Sequence, residues 1–217
     1  MHFLDAWTRL SPLDLARLLT APACVLLSIV LPGRRAALLA SLGLAVATPL
    51  IPGAAPLVLR VAWMVLWLGL AAVLARAAED PPPDMSLRRG GFESGAVGLL
   101  LGVALLTLLI AAIARADLDE RVGREASYGV LLIALGLVHL MLRRHVQRAA
   151  IAFGAMGLGL DRLARTAEAQ QLRVEGMRPG AVWVATLLAL ALVSRIARLR
   201  TEAGGGAWVS GAHDLHD

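Results

Sequence analysis

The stretch "LGLVHLMLRRHVQRAAIAFGAMGLGLDRLA", residues 135–164, sets Arg143, Arg144, His145 and Arg148 between two apolar runs. The second run carries Gly154, Gly157 and Gly159 and has no carboxylate before Asp161. Two apolar segments joined by a short basic turn form the pattern of a membrane hairpin. A helix is the simplest way to satisfy every backbone amide in lipid, and arginines clustered in a tight loop hold that loop at the cytoplasmic face.

The rest of the chain extends this pattern. Of its 217 residues, 58% are hydrophobic and only 17% charged, with a mean hydropathy of +0.71, where an ordinary soluble domain has roughly 25% charged residues. The balance predicts an all-α fold, a polytopic integral membrane helix bundle. Seven apolar blocks fall at 15–31, 36–52, 57–75, 95–114, 126–142, 146–161 and 181–199, each near the ~20 residues that cross ~30 Å of hydrocarbon. Seven transmembrane helices are therefore expected. Six is the alternative, with 146–161 as a re-entrant segment, since its glycines weaken a lone helix.

The blocks group into an N-terminal membrane half at 1–78 with three spans, a proline-rich linker at 79–94, a C-terminal half at 95–200 with four spans, and a polar tail at 201–217. The hairpin occupies 126–161 of the second half. Pro81, Pro82 and Pro83 stop any helix in the first linker. A second linker, 161–180, is polar with helical spacing and predicts an amphipathic surface helix around 161–172, before Pro179 opens the last span. The N-terminus has Asp5 and Asp14 and lacks a basic region followed by a small-residue cleavage site, unlike a cleaved signal peptide. Trp7 and its apolar neighbours suit a short interfacial helix.

All 21 basic residues are arginine, and with the abundance of Ala, Gly and Leu this points to a high-GC bacterial genome. The net charge of +5 and pI near 11 do not indicate nucleic acid, because the arginines sit at block ends, where they anchor helices. Their distribution favours an N-terminus outside and a C-terminus in the cytoplasm of a bacterial inner membrane. One cysteine, Cys24, excludes a disulfide or thiol-based metal framework within the chain.

Ionisable groups inside the blocks are few. Arg60 and Arg195 lie near block ends, where snorkelling accounts for them. His139, a turn from the end of the fifth block, is the candidate proton relay, with a neutral histidine hydrogen-bonded to a neighbouring helix as the other reading. No Walker loop, HExxH, GxSxG or dinucleotide fingerprint occurs, and Ser127, Tyr128 and Thr107 are too sparse to nominate catalysis. No catalytic residue, metal site or cofactor is expected in this chain. The terminal His213, Asp214, His216 and Asp217 read as a polar tail. Gly98 and Gly102, with Gly154, Gly157 and Gly159, are helix-packing candidates, since close backbone approach drives association in lipid.

The helix ending "ALGLVHLMLRRH", its basic turn and the helix "VQRAAIAFGAMGLGL" resemble the helix-turn-helix of NuoK-like membrane subunits, and more closely the HyfE-like subunits of energy-converting hydrogenase and formate hydrogenlyase complexes. The exit "SRIARLRTEAGGGAWVSGAHDL" is similar to the basic exit and tail of that family. The resemblance implies a seven-helix layout, with Arg143, Arg144 and Arg148 in the cytoplasmic basic turn. It also implies an intramembrane glutamate in the second helix, near Met156 and Gly159. That position falls at Gly157 in the HyfE-like alignment or Gly154 in the NuoK-like one, and neither residue exchanges a proton.

The resulting expectation is a non-catalytic connecting subunit of a multi-subunit redox or ion-translocating membrane complex, partnered by antiporter-like or hydrogenase-like subunits. Quinone or lipid would be held only at its surface. A stand-alone small-solute transporter or channel is the alternative, and an assembly factor is a third reading.

Overall fold

The computed structural model describes residues 10–30, 34–51, 55–76, 119–142, 146–170 and 179–202, together with isolated helical positions 104, 107 and 111. Among these residues there are six α-helices and no strands: α1 Pro12–Val30, α2 Arg34–Leu50, α3 Leu57–Arg76, α4 Glu120–Leu142, α5 Val146–Ala169 and α6 Pro179–Glu202. Three helices are long and apolar enough to cross a membrane, at Pro12–Ile29, Leu57–Arg76 and Gly180–Leu199, and α2 is apolar but shorter. The block at 95–114 lies outside the described residues apart from the isolated positions, as do Trp7, the linker at 79–94 and the tail from 203 onward.

Local chemistry sets several helix starts. Ser11 caps α1: its Oγ accepts from the Asp14 amide at 3.2 Å and donates to the Asp14 carboxylate at 2.8 Å, with Pro12 in the first helical position. That reciprocal arrangement satisfies amide groups that would otherwise be left without partners at the helix start. Pro179 opens α6 in the same position, and the Pro56 carbonyl accepts from Leu59 and Arg60 at the start of α3.

Two boundaries correct the sequence reading. The hairpin is longer than 126–161, because α4 begins at Glu120 and α5 runs unbroken to Ala169. Residues 161–169 therefore belong to α5 itself, and no separate surface helix starts at Asp161. Their charges look like a solvated linker, yet Asp161 and Arg162 are buried. An ion pair between Asp161 and Arg165, one helical turn apart, joins them along the helix. The block at 146–161 is likewise continuous helix in spite of its glycines.

Within each half consecutive helices pack side by side, with α4 on α5 the most extensive pair. Across the two halves α1 packs on α4, and α3 reaches both α5 and α6. The halves thus share one core, with Trp63, Trp67, Tyr128, Leu132, Ile151 and Leu158 among its large buried members. The outward faces are apolar: Val58 is 81% exposed and Leu57, Val65, Leu188 and Leu192 are also exposed. Faces of this kind are compatible with a membrane location, and in water they would form a large exposed apolar patch.

Glycines sit where helices approach most closely. A Cβ at Gly129 would lie 2.8 Å from the Gly159 carbonyl oxygen, and one at Gly159 would lie 2.5 Å from the Gly129 carbonyl and 2.8 Å from Ile133 Cγ1. Neither backbone can yield without separating α4 from α5. Gly159→Ala should therefore destabilise the bundle by about 1–3 kcal/mol, the usual cost of overpacking. Gly69→Ala, at a position with nothing within 4 Å, should be neutral or stabilising by up to about 1 kcal/mol from helix propensity. Unfolding of both variants in mixed micelles checks the pair, and equal stability would remove the close-contact account.

Candidate functional site

His139, the one ionisable candidate inside the hairpin, is fully buried. Its Nδ1 lies 3.2 Å from Ser28 Oγ, which in turn lies 3.0 Å from the Val25 carbonyl. Hydrogen bonding to a neighbouring helix is thus its geometry, with α1 as that helix. Both residues lie near the C-terminal ends of α1 and α4, which run in the same direction.

The packing glycines are also placed. A Cβ at Gly157 would lie 2.8 Å from Thr186 Cβ on α6, and Thr186 is a stiff β-branched residue held by its hydroxyl bond to the Val182 carbonyl at 2.8 Å. A Cβ at Gly154 would lie 2.9 Å from Trp67 Cζ3 on α3. Each position is therefore a helix crossing filled by a neighbour. A glutamate at either would need space that Thr186 or Trp67 already occupies.

The opposite end of the bundle holds what the sequence reading passed over. The N-terminal turns of α1, α3 and α4 and the C-terminal turns of α5 bring together Asp14, Arg60, Arg121, Arg124, Glu125, Tyr128, Asp161, Arg162 and Arg165. Asp161 is 0% exposed and Arg162 3%. The Arg162 guanidinium stands 6.0 Å from the centroid of the Tyr128 ring, within range of a cation–π attraction. Arg165 pairs with the Asp161 carboxylate and reaches the Asp161 carbonyl at 3.3 Å. The Asp161 Oδ1 and Tyr128 Oη atoms have no hydrogen-bond partner among the described residues.

These charges feel one another. Beyond the apolar block, burial lowers the proton affinity of Arg162 and brings Arg165 down to about 10, still charged at neutral pH. Glu125 raises both and Arg60 lowers both. Arg60 is half-buried beside this cluster, as a snorkelling side chain also is, whereas Arg195 is exposed on α6. Two surface pairs, Arg121 with Glu125 at 3.7 Å and Arg17 with Asp14 at 3.5 Å, border the cluster.

A cavity of about 230 Å³ opens at this end. It is lined by Leu10, Asp14 and Leu18 from the α1 side, by Arg121, Arg124, Glu125 and Tyr128 from α4, and by Arg162 from α5. Between it and the Ser28–His139 pair lies a packed layer of Ala21, Val25, Leu132, Ile151, Ala155 and Leu158. Among the described residues no group of three or more His, Cys, Asp or Glu side chains is arranged to hold a metal.

The remaining sequence candidates are not assembled into this site. Arg143 and Arg144 lie outside the described residues, as do Gly98 and Gly102, and Arg148 falls in the first turn of α5. The signals that could have identified the charged end were the i,i+4 spacing of Asp161 and Arg165 and the matching Arg121–Glu125 spacing. Helix spacing alone did not say that these residues face inward.

The buried pair carries a testable cost. Asp161→Asn leaves Arg165 buried beside a neutral amide and should destabilise the protein by about 3–5 kcal/mol, the range for breaking a buried ion pair. Adding Arg165→Gln should restore more than half of that loss, since removing both charges also removes their burial cost. A double-mutant cycle on unfolding in micelles measures the coupling, and strict additivity would show that the two side chains act independently. No protein-family model, curated protein or solved structure matches this chain.

Proposed function

We propose that this chain is a non-catalytic integral membrane subunit that connects larger subunits in a bacterial redox or ion-translocating complex of the hydrogenase and Complex I kind. The HyfE-like and NuoK-like resemblance of the hairpin supplies the class of complex. In this reading the chain has seven spans, its N-terminus lies outside, and the basic turn at Arg143, Arg144 and Arg148 faces the cytoplasm.

The filled crossings at Gly154 and Gly157 carry the reading. At the two positions where the resemblance expects a proton-exchanging glutamate, the missing side chain makes room for Trp67 and Thr186. The helix that would bear the relay serves instead as the packing hub for α3, α4 and α6. His139 serves as a buried structural group held by Ser28. The apolar outer faces of α3 and α6 are where neighbouring membrane helices would dock.

A stand-alone small-solute transporter is the second reading, and the buried charged end with its cavity is the observation that favours it. Buried ionisable residues in membrane helices commonly mark substrate or ion pathways.

Purification through a C-terminal tag in mild detergent, followed by native mass measurement, separates the two. The connector reading expects hydrogenase-like or antiporter-like membrane subunits in fixed stoichiometry, whereas a lone chain or homo-oligomer that moves solute in liposomes would replace it with the transporter. His139→Ala should leave the activity of the purified assembly within about twofold of wild type, a change worth under ~0.5 kcal/mol. Gly157→Glu should abolish accumulation of the chain in the membrane. A Gly157→Glu chain that assembles normally and raises proton translocation would show that the position had kept room for a relay.

A further inference from the structure

The cavity at the charged end has the properties of a ligand site, independently of whether the chain is a connector or a transporter. Its ionised lining consists of Arg121, Arg124 and Arg162 against Asp14 and Glu125, an excess of one positive charge. Tyr128, 1% exposed, also lines it, and its buried hydroxyl has no hydrogen-bond partner among the described residues. A buried hydroxyl left this way costs roughly 1–3 kcal/mol, and a small shift of the ring that turned it to a ligand oxygen in the adjoining cavity would recover it. Roughly 10–15 Å³ of such space takes one water molecule, so about 230 Å³ accommodates a headgroup-sized polar fragment.

We propose that this cavity binds the phosphodiester of an anionic phospholipid. A phosphodiester carries a single negative charge, which matches the excess of one positive charge in the lining. Its two free oxygens accept from guanidinium and phenol donors, and arginine is well suited to phosphate because its planar fork donates in parallel. Leu10 and Leu18 line the α1 side of the same cavity, giving an apolar wall along which an acyl chain can leave. The cavity also sits at the ends of helices rather than at mid-span, the level at which a headgroup lies.

The test uses the purified full chain, with any co-purifying subunits, stripped of lipid and returned to detergent with phosphatidylglycerol, phosphatidylcholine or inorganic phosphate. Native mass spectrometry should find one phosphatidylglycerol retained per chain, with a rise in unfolding temperature, and phosphatidylcholine should be retained about tenfold less, because its choline ammonium offsets the phosphodiester charge and brings a cation to a lining that already has an excess of positive charge. Tyr128→Phe keeps the ring over Arg162 and removes only the hydroxyl. That variant and Arg124→Gln should each lower phosphatidylglycerol retention toward the weak level of phosphatidylcholine, and Arg35→Gln, on an exposed arginine of α2, should change the retention of neither lipid. Equal retention of the two lipids, or phosphatidylglycerol retention unchanged in both cavity variants, would overturn the proposal. So would displacement of the lipid by millimolar inorganic phosphate, which would identify a free-anion site.

Discussion

The close approach of α4 and α5 at Gly129 and Gly159 is the contact on which the rest of the bundle depends. Each glycine meets the other's carbonyl oxygen at a distance that no side chain would permit. In lipid the apolar solvent does not drive helices together, so van der Waals contact between backbones supplies the attraction. Once α5 is seated there, its remaining small residues set its other neighbours: Gly154 admits the Trp67 ring, Gly157 admits Thr186, and Gly136 of α4 receives Met156. The least continuously apolar of the predicted blocks is in this way the best-covered helix. Its small side chains expose little surface to lipid and allow all five other described helices access.

The charged end depends on the same hub. Because α5 is pinned against α4, its last turns carry Asp161, Arg162 and Arg165 into the interior instead of into solvent. Taking ions out of water costs several kcal/mol each unless a partner offsets it. The offsets are local, with Arg165 on Asp161 and the Tyr128 ring under Arg162. Glu125 on α4 is placed to favour both guanidinium charges, and Arg60 on α3 opposes them. The cluster therefore couples the positions of α3, α4 and α5 electrostatically at the same end as the Gly129–Gly159 crossing, where Gly129 also abuts Arg162 and Leu163.

Most of the helical architecture was legible because period and length are local properties. Pro179 marks a helix start by its backbone chemistry, and apolar runs near spanning length mark the interiors, whereas the Ser11–Pro12 start of α1, ahead of the block at 15–31, was seen only in the structure. The extension of α5 past Asp161 was not legible, because a charged residue reads as solvated until its partner is known. Only the turn spacing of Asp161 and Arg165 hinted otherwise. His139 was picked out as the unusual group inside the hairpin, but Ser28, 111 positions away in the chain, could not be foreseen as its neighbour. The packing role of Gly157 was expected, whereas its occupant Thr186 depends on how α6 docks, which no local pattern encodes.

The separation of the two polar ends bears on how the described bundle can and cannot work. Tyr128 and His139 lie eleven residues apart on α4, roughly 16 Å at 1.5 Å per residue. Proton transfer needs donors and acceptors within hydrogen-bond reach or bridged by water. Across that gap the facing side chains of α1 and α5 are Ala21, Val25, Ile151, Ala155 and Leu158, none of which donates or accepts a proton. A relay along α1, α4 and α5 would thus need a column of water through a layer held shut by direct helix contact, and opening it would break the glycine crossings that assemble the bundle. The same close packing is what the proposed connector role would need, since a connector must keep the spacing between its neighbours. Any ion path through the described bundle would therefore have to run outside these three helices, and the ion pair and the ring contact at the charged end fix their geometry.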